Sequence, residues 1–180
     1  GIHFPYIIPE SILKIPKKGV LNLHPAFLPY NKGWHTPSWA ILDGTDYGAT
    51  LHFMSKKLDS GDIVLQEKLL ISPNDTADSL YKKVNKLEFE LFKKALPLIL
   101  NNNYKIKPQA DGGSSYKKED LEEMRELNLN ERISIGNLLN RLRALTTNNI
   151  NEASYFTVDG EKYLVTVKIV SEKEVEGAKK

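Results

Sequence analysis

Cysteine is absent from this sequence of 180 residues, which excludes both a disulfide framework and a thiol nucleophile. No apolar run is long enough to cross a bilayer as a helix. The 25 basic and 23 acidic residues leave a net charge of +2, without the concentrated basic stripe that nucleic-acid binding usually requires. A glycine-rich phosphate loop and an internal repeat are also lacking. We therefore expect a cytoplasmic globular protein that binds neither nucleic acid nor a membrane.

The apolar run of residues 20–24 contains Asn22 and His24, and Pro25 follows it at once. Because side chains alternate along a strand, Asn22 and His24 lie on the same face. Pro25 cannot donate to a sheet ladder, so the strand ends there and His24 lies at its rim. Asp59 lies in the turn that follows another apolar strand. We expect these three side chains to meet at one edge of a sheet.

An amide and an imidazole in this arrangement suit the stabilisation of an oxyanion that forms and collapses during a reaction. A carboxylate suits orienting the imidazole and accepting a proton. The pattern therefore predicts Asn22, His24 and Asp59 as catalytic residues. His52 lies in an apolar strand and is interpreted as a hydrogen-bonded structural residue that supports this site, since a lone core histidine is more often structural than catalytic. His24, His52 and Asp59 could in principle hold zinc, but without cysteine or an HxxxH pair we favour a site without a metal.

Two separated motifs resemble those of a known family. The first is Asn22-x-His24-Pro25 with Leu28-Pro29, and the second is Leu58-Asp59-Ser60-Gly61-Asp62. Together, in this order and spacing, they resemble the formyltransferases that use N10-formyltetrahydrofolate. The loop at residues 29–34 is most similar to the branch that acts on nucleotide-linked amino sugars. The resemblance covers residues 2–109 and continues more loosely to residue 169.

The resemblance implies an enzyme that transfers a formyl group from N10-formyltetrahydrofolate to an amino sugar, with dTDP as the expected nucleotide carrier. Such a product would enter cell-surface polysaccharide synthesis. Asn22 and His24 would donate to the oxyanion, while Asp59 would hold His24 and take up the proton of the amine. No covalent enzyme intermediate is needed, and a homodimer is expected.

The resemblance also implies two groups of binding residues. The folate would contact residues near the start of the chain and in the Asp59 turn, namely Phe4, Tyr6, Ile7 and Asp62. The amino-sugar substrate would contact the loop after the first motif, through Tyr30, Lys32, Gly33 and Trp34. Simple packing is the alternative for each aromatic residue in these groups.

Two other functions stay open at this stage. One is a different formyl-folate reaction, such as formylation of methionyl-tRNA or hydrolysis of the folate. The other is a catalytically silent binding or dimerisation fragment. The second alternative arises because residues 1–9 resemble a strand and turn in the middle of the family's catalytic domain, so we expect a fragment that lacks the first strand–helix units.

The fold expected from these patterns is α/β, with the C-terminal half of a Rossmann-like formyltransferase domain followed by a small helix and β-hairpin. We expect a catalytic domain over residues 1–109, a helical and hairpin region over 110–170, and a disordered tail over 171–180. Hydrophobic periodicity and turn signals predict strands at 2–8 (interrupted by Pro5), 20–24, 49–54 and 63–71, helices at 9–15, 37–43, 77–100, 118–127 and 133–145, and a hairpin around Asp159-Gly160.

Overall fold

The structure is a computed structural model and describes residues 1–4 and 6–177. In chain order its elements are α1 (Glu10–Leu13), β1 (Leu21–His24), β2 (Lys32–Gly33), α2 (Thr36–Asp43), β3 (Tyr47–Phe53), β4 (Ile63–Leu69), α3 (Ala77–Leu100), β5 (Ser115–Tyr116), a 3₁₀ helix (Glu119–Met124), α4 (Ile135–Ala144), a 3₁₀ turn (Ile150–Glu152), β6 (Ser154–Val158), β7 (Glu161–Val165) and α5 (Glu172–Gly177). The predicted α/β class is confirmed.

The main sheet has three strands in the order β1-β3-β4, and both pairings are antiparallel. Asn22 lies opposite His52 in this register, so two polar residues of the predicted site share one part of the sheet. The predicted strand at 2–8 is wrong, because Ile2 forms only an isolated parallel bridge to Leu23. The φ of 46° at His3 turns the backbone out of the extended conformation. Pro5, the predicted interruption, lies outside the described residues.

Helix α3 covers the sheet and has the bounds that its apolar stripe predicts. Its start is fixed by a capping box, in which Thr76 and Ser79 each accept a hydrogen bond from the other's backbone N–H. The buried stripe packs on β1, β3 and β4 and consists of Ala77, Leu80, Val84, Glu88, Leu91 and Ala95. A carboxylate therefore occupies one position of an otherwise apolar face.

The C-terminal region packs against α2 through aromatic and aliphatic side chains. The ring of Trp39 stacks on Tyr116 with centroids 3.8 Å apart, and Leu121 and Leu145 complete this small core. β5 pairs in parallel with β2, so the region also contacts the loop after β1. The hairpin β6–β7 forms as predicted. The helix expected at 118–127 is instead a 3₁₀ helix of six residues.

The prediction of disorder from residue 171 is wrong for residues 172–177, which form α5. Ser171 and Glu174 form a reciprocal capping box there, with hydrogen bonds of 3.0 and 3.3 Å. Residues 178–180 of the predicted tail lie outside the described residues. Within the part of the chain that the structure describes, none of the helices is long and apolar enough to span a membrane.

Candidate active site

Asn22 and His24 lie side by side at the end of β1, and both are 4% exposed. They face a cavity of about 340 Å³ that is also lined by Asp59 and by the loop after β1. The alternation of side chains along β1 and the early stop at Pro25 produce this placement, as the sequence predicts. The three proposed catalytic residues are therefore brought together.

The Asp59 carboxylate lies between two imidazoles. Its Oδ2 is 3.6 Å from His24 Nδ1, and its Oδ1 is 3.6 Å from His52 Nε2. The Gly33 backbone N–H donates to Oδ2 at 3.0 Å. The backbone of Asp59 adopts a φ of 44°, a left-handed conformation that Asp tolerates better than most residues. The side-chain amide of Gln109 donates to the Asp59 and Gly61 carbonyls at 2.8 Å and braces this turn.

Each of the two histidines donates one ring N–H to a backbone carbonyl. Nε2 of His24 donates to the Asn31 carbonyl at 3.2 Å, and Nδ1 of His52 donates to the Phe53 carbonyl at 2.8 Å. The second nitrogen of each ring therefore faces Asp59. The hydrogen bond that Asp59 receives within this cluster comes from the Gly33 N–H.

The electrostatics keep Asp59 ionised. Burial raises the pKa of this carboxyl, but His52, the charge of His24 and the Gly33 N–H together lower the pKa to about 2. Burial lowers the pKa of His24, the charge of Asp59 opposes that shift, and the charges of His52 and His3 lower the pKa further. A carboxylate with so low a pKa orients neighbouring imidazoles well but is a weak base near neutral pH.

The side-chain amide of Asn22 is available to a ligand. Its Oδ1 is buried without a hydrogen-bond partner, and the amide makes no hydrogen bond to any residue that the structure describes. Asn22 lines the main cavity and also a second, smaller cavity of about 30 Å³, which shares Phe4, Leu58 and Asp59 with the first. Both ring nitrogens of His24, in contrast, already point to protein acceptors.

The second cavity brings together most of the residues that the family resemblance assigned to the folate. Phe4, Tyr6 and Ile7 line it beside Asn22, His52 and Asp59. Asp62 lines neither cavity, and its backbone carbonyl accepts a hydrogen bond from the Phe53 N–H at 2.9 Å. This contact of Asp62 therefore stabilises the backbone at the end of β3.

Of the four residues predicted to contact the amino sugar, two line the main cavity and two do not. Gly33 and Trp34 line the main cavity, and the Trp34 side chain is 41% exposed, with the Lys118 ammonium 5.5 Å from its ring centroid. Tyr30 and Lys32 do not line this cavity. Lys32 instead donates to the Ser60 hydroxyl at 3.4 Å.

The far wall of the main cavity was missed by sequence reasoning. It comes from the start of the chain, the first turns of α3 and the segment after α4, through His3, Asp78, Tyr81, Thr147, Asn148 and Glu152. The Thr146 carbonyl accepts from the Asp78 N–H at 3.0 Å and holds that segment against α3. No local pattern signals such a contact. In the described residues no cluster of three or more acidic and imidazole groups is arranged to hold a metal ion.

An amide, an imidazole and a carboxylate thus meet at the wall of a cavity, and the chain can be compared with known families. Residues 2–96 match the family described as formyl transferase. Residues 120–171 match the N-formyltransferase dimerization C-terminal domain. The chain belongs to the formyl transferase family.

Individual relatives extend the similarity over most of the chain. A dTDP-4-amino-4,6-dideoxyglucose formyltransferase of Mycobacterium tuberculosis is 37% identical over 87% of this chain and 67% of its own length. A 4-N formyltransferase structure from Francisella tularensis is 30% identical, with a TM-score of 0.86, and covers 94% of this chain and 69% of that one. A third similar protein is an N-formyltransferase from Helicobacter canadensis, in complex with folinic acid and dTDP-3-aminofucose. It is 28% identical with a TM-score of 0.64, and the match covers 78% of this chain and 51% of that one.

Proposed function

We propose that this protein transfers a formyl group from N10-formyltetrahydrofolate to the amino group of a nucleotide-linked amino sugar. The observation that carries the proposal is that Asn22 and Asp59 line two separate cavities. A reaction between two substrates needs such a shared centre. The relative from Helicobacter canadensis, which holds a folate and a dTDP-amino sugar together, supports this pair of ligands.

The two substrates bind at different parts of the site. The folate binds along Phe4, Tyr6 and Ile7, beside the smaller cavity. The amino sugar occupies the main cavity, and its nucleotide base stacks on the exposed face of Trp34, since aromatic rings stack favourably on bases. Gly33 lines this cavity, and its backbone lies beside the proposed position of the sugar.

The amine nitrogen attacks the formyl carbon and an oxyanion develops on the formyl oxygen. Asn22 donates its unengaged amide N–H to that oxygen. His24 Nε2 gives up its 3.2 Å hydrogen bond to the Asn31 carbonyl and donates a second hydrogen bond to the oxyanion. Loss of one such donor typically costs about 3 kcal/mol of transition-state stabilisation. Asp59 fixes His24 and stabilises its charged form. As the intermediate collapses, the bond from carbon to N10 breaks, the attacking nitrogen gives up one proton and N10 receives one, so the transfer consumes no net proton.

The proposal includes a homodimer formed through residues 120–171, the part that matches the dimerization domain. It also includes the cytoplasmic location that the sequence predicts and a role of the product in cell-surface polysaccharide synthesis.

The experiment is an assay of tetrahydrofolate release from N10-formyltetrahydrofolate with a panel of dTDP- and UDP-linked amino sugars. Asp59→Asn is the test variant, and Asp46→Asn is the matched control, since the exposed Asp46 pairs with Lys68 at the surface. We expect release that depends on one amino sugar, is lost in Asp59→Asn and is retained in Asp46→Asn. Release without any acceptor would indicate a folate hydrolase and contradict the proposal, as would binding of both ligands without turnover.

A further inference from the structure

Glu88 is a carboxylate in the apolar face of α3 and has no part in the mechanism above. It is 3% exposed and occupies the buried stripe between Val84 and Leu91. Its Oε1 is buried without a hydrogen-bond partner. A buried carboxylate is destabilising unless it is well paired, so an apolar residue would stabilise this position better. The position therefore points to a use other than packing.

The partner of Glu88 is His3, on the wall of the main cavity. Oε2 of Glu88 accepts from His3 Nε2 at 2.6 Å, although 85 positions separate the two residues in the sequence. The His3 side chain is 28% exposed and lines the same cavity as Asn22, His24 and Asp59. The backbone N–H of His3 donates to the Leu23 carbonyl at 3.3 Å, which anchors the ring beside β1.

The carboxylate fixes the tautomer of the neutral His3 ring. Because Nε2 carries the hydrogen donated to Glu88, Nδ1 keeps its lone pair. Nδ1 makes no hydrogen bond to any other residue in the described part of the chain. The pair thus presents a proton acceptor in the cavity proposed for the amino sugar. A histidine oriented by a buried carboxylate is the usual arrangement of a general base.

We propose that His3 is a further catalytic residue, whose Nδ1 accepts a proton from the ammonium group of the acceptor sugar before that amine attacks the formyl carbon. This inference rests on the proposed function. The N–H bond of the ammonium breaks and an N–H bond forms at Nδ1, so the substrate becomes a neutral amine and His3 an imidazolium paired with Glu88. The proton returns to solvent through the open cavity.

The other groups of the site are poorly suited to this step. An alkyl amine arrives protonated at neutral pH and has no lone pair for attack. Asp59 binds protons weakly, because its imidazole neighbours hold its pKa at about 2. Both nitrogens of His24 already face protein acceptors. The titratable groups around His3 are Glu88 and Tyr81 from α3 and His24 from β1. Elsewhere on the cavity wall lie Asp59, His35, Glu152 and Asp78, of which Asp78 pairs with Lys82.

The test compares His3→Gln with the protein itself in the formyl-transfer assay across a range of pH. Glutamine can still donate to Glu88 from the Nε2 position but cannot take up a proton. We expect kcat/KM for the amino sugar to fall about 100-fold at neutral pH, within the range for loss of a general base. The defect should shrink as the pH rises through the pKa of the acceptor amine, because the free amine then needs no base. Glu88→Gln should show a smaller loss with the same trend.

Glu90→Gln is the matched control, since Glu90 lies two residues further along α3 and pairs with Lys93 at the surface. Its kcat/KM should equal that of the unaltered protein at every pH. An unchanged rate in His3→Gln, or a loss that is equal at all pH values, would overturn the assignment of His3 as a base.

A binding measurement separates this inference from the proposed function. The ¹⁵N signals of the four histidine rings are recorded by NMR, with His3→Gln identifying the His3 signals. Addition of the dTDP-amino sugar should shift the Nδ1 signal of His3, even if folate is absent. No turnover by the unaltered protein would overturn the proposed function alone, whereas an unshifted His3 signal with the sugar bound would overturn the role of His3.

Discussion

The Gly33 backbone N–H donates to Oδ2 of Asp59 at 3.0 Å, and so joins the loop over the main cavity to the carboxylate between the two histidines. The same residue belongs to β2, which pairs with β5 of the C-terminal region. One backbone position therefore links the proposed amino-sugar loop, the Asp59 turn and the C-terminal region. A change in the backbone conformation at Gly33 would therefore displace all three parts.

Gly33→Ala should reduce both stability and activity. The φ of +87° is strained for alanine, and an added Cβ would lie 2.3 Å from the Tyr116 carbonyl oxygen. We expect the free energy of unfolding to fall by about 1–3 kcal/mol in urea titrations. Gly136→Ala, where a Cβ has open space at the start of α4, is the control and should be neutral or slightly stabilising. Equal stability of the two variants would refute the close packing at Gly33.

Asp59 should make stability depend on pH in the acid range. Its pKa of about 2 lies below the ordinary value of 3.8, so the unfolded chain binds more protons between these values. The stabilisation is complete above the ordinary pKa and is lost as the pH falls through about 2. Chemical unfolding of the protein and of Asp59→Asn, compared from about pH 5 to pH 2, should show their difference shrinking by on the order of 2 kcal/mol. A difference that stays constant over this range would mean that Asp59 is not held ionised by the two histidines.

Trp34 should report the binding of the nucleotide. The protein has two tryptophans, and Trp39 is 8% exposed in the core while Trp34 is 41% exposed at the cavity. A dTDP-amino sugar should quench the fluorescence of the protein but not that of Trp34→Phe. Loss of the larger ring should raise KM for the sugar by about 10-fold and leave kcat nearly unchanged. Quenching that survives in Trp34→Phe would place the base elsewhere.

Arg143 should contribute to stability through its bidentate contacts. Its guanidinium donates to the Asp75 and Ser72 carbonyls at 2.7 and 2.9 Å, and ties α4 to the loop before α3. Lysine cannot reproduce this fork, so Arg143→Lys should lose about 1–3 kcal/mol in thermal or urea unfolding. The exposed Arg132 provides the control, and Arg132→Lys should change stability very little. If Arg143→Lys were as stable as Arg132→Lys, the contacts of Arg143 with the Asp75 and Ser72 carbonyls would not hold α4 in place.

Sequence reasoning worked best where one local pattern decides the structure. The apolar stripe and the polar cap at Thr76 predict both ends of α3, and alternation along β1 places Asn22 and His24 together. Proline after His24 ends the strand at the cavity. Each of these features depends on residues only a few positions apart.

The remaining parts depend on contacts between distant segments. The pairing of His3 with Glu88 spans 85 positions. The segment that contains Glu152 reaches the cavity because α4 packs on α2 and the Thr146 carbonyl is bound to α3 at Asp78. Glu88 lies at a buried position of α3, but the apolar periodicity of the sequence does not include a carboxylate and so indicates neither its burial nor its partner. The tail was judged by its charge, whereas the Ser171 and Glu174 cap stabilises a short helix there.

Formyl transfer to the sugar amine is tested most directly by following an isotopically labelled formyl group. N10-formyltetrahydrofolate with a ¹³C-formyl label is incubated with the protein and a dTDP-amino sugar, and the nucleotide sugar is analysed by mass spectrometry. We predict that the labelled formyl group appears on the sugar amine, and that Asp59→Asn abolishes this transfer while still binding both ligands. Label found as free formate, with the amino sugar unchanged, would contradict this prediction.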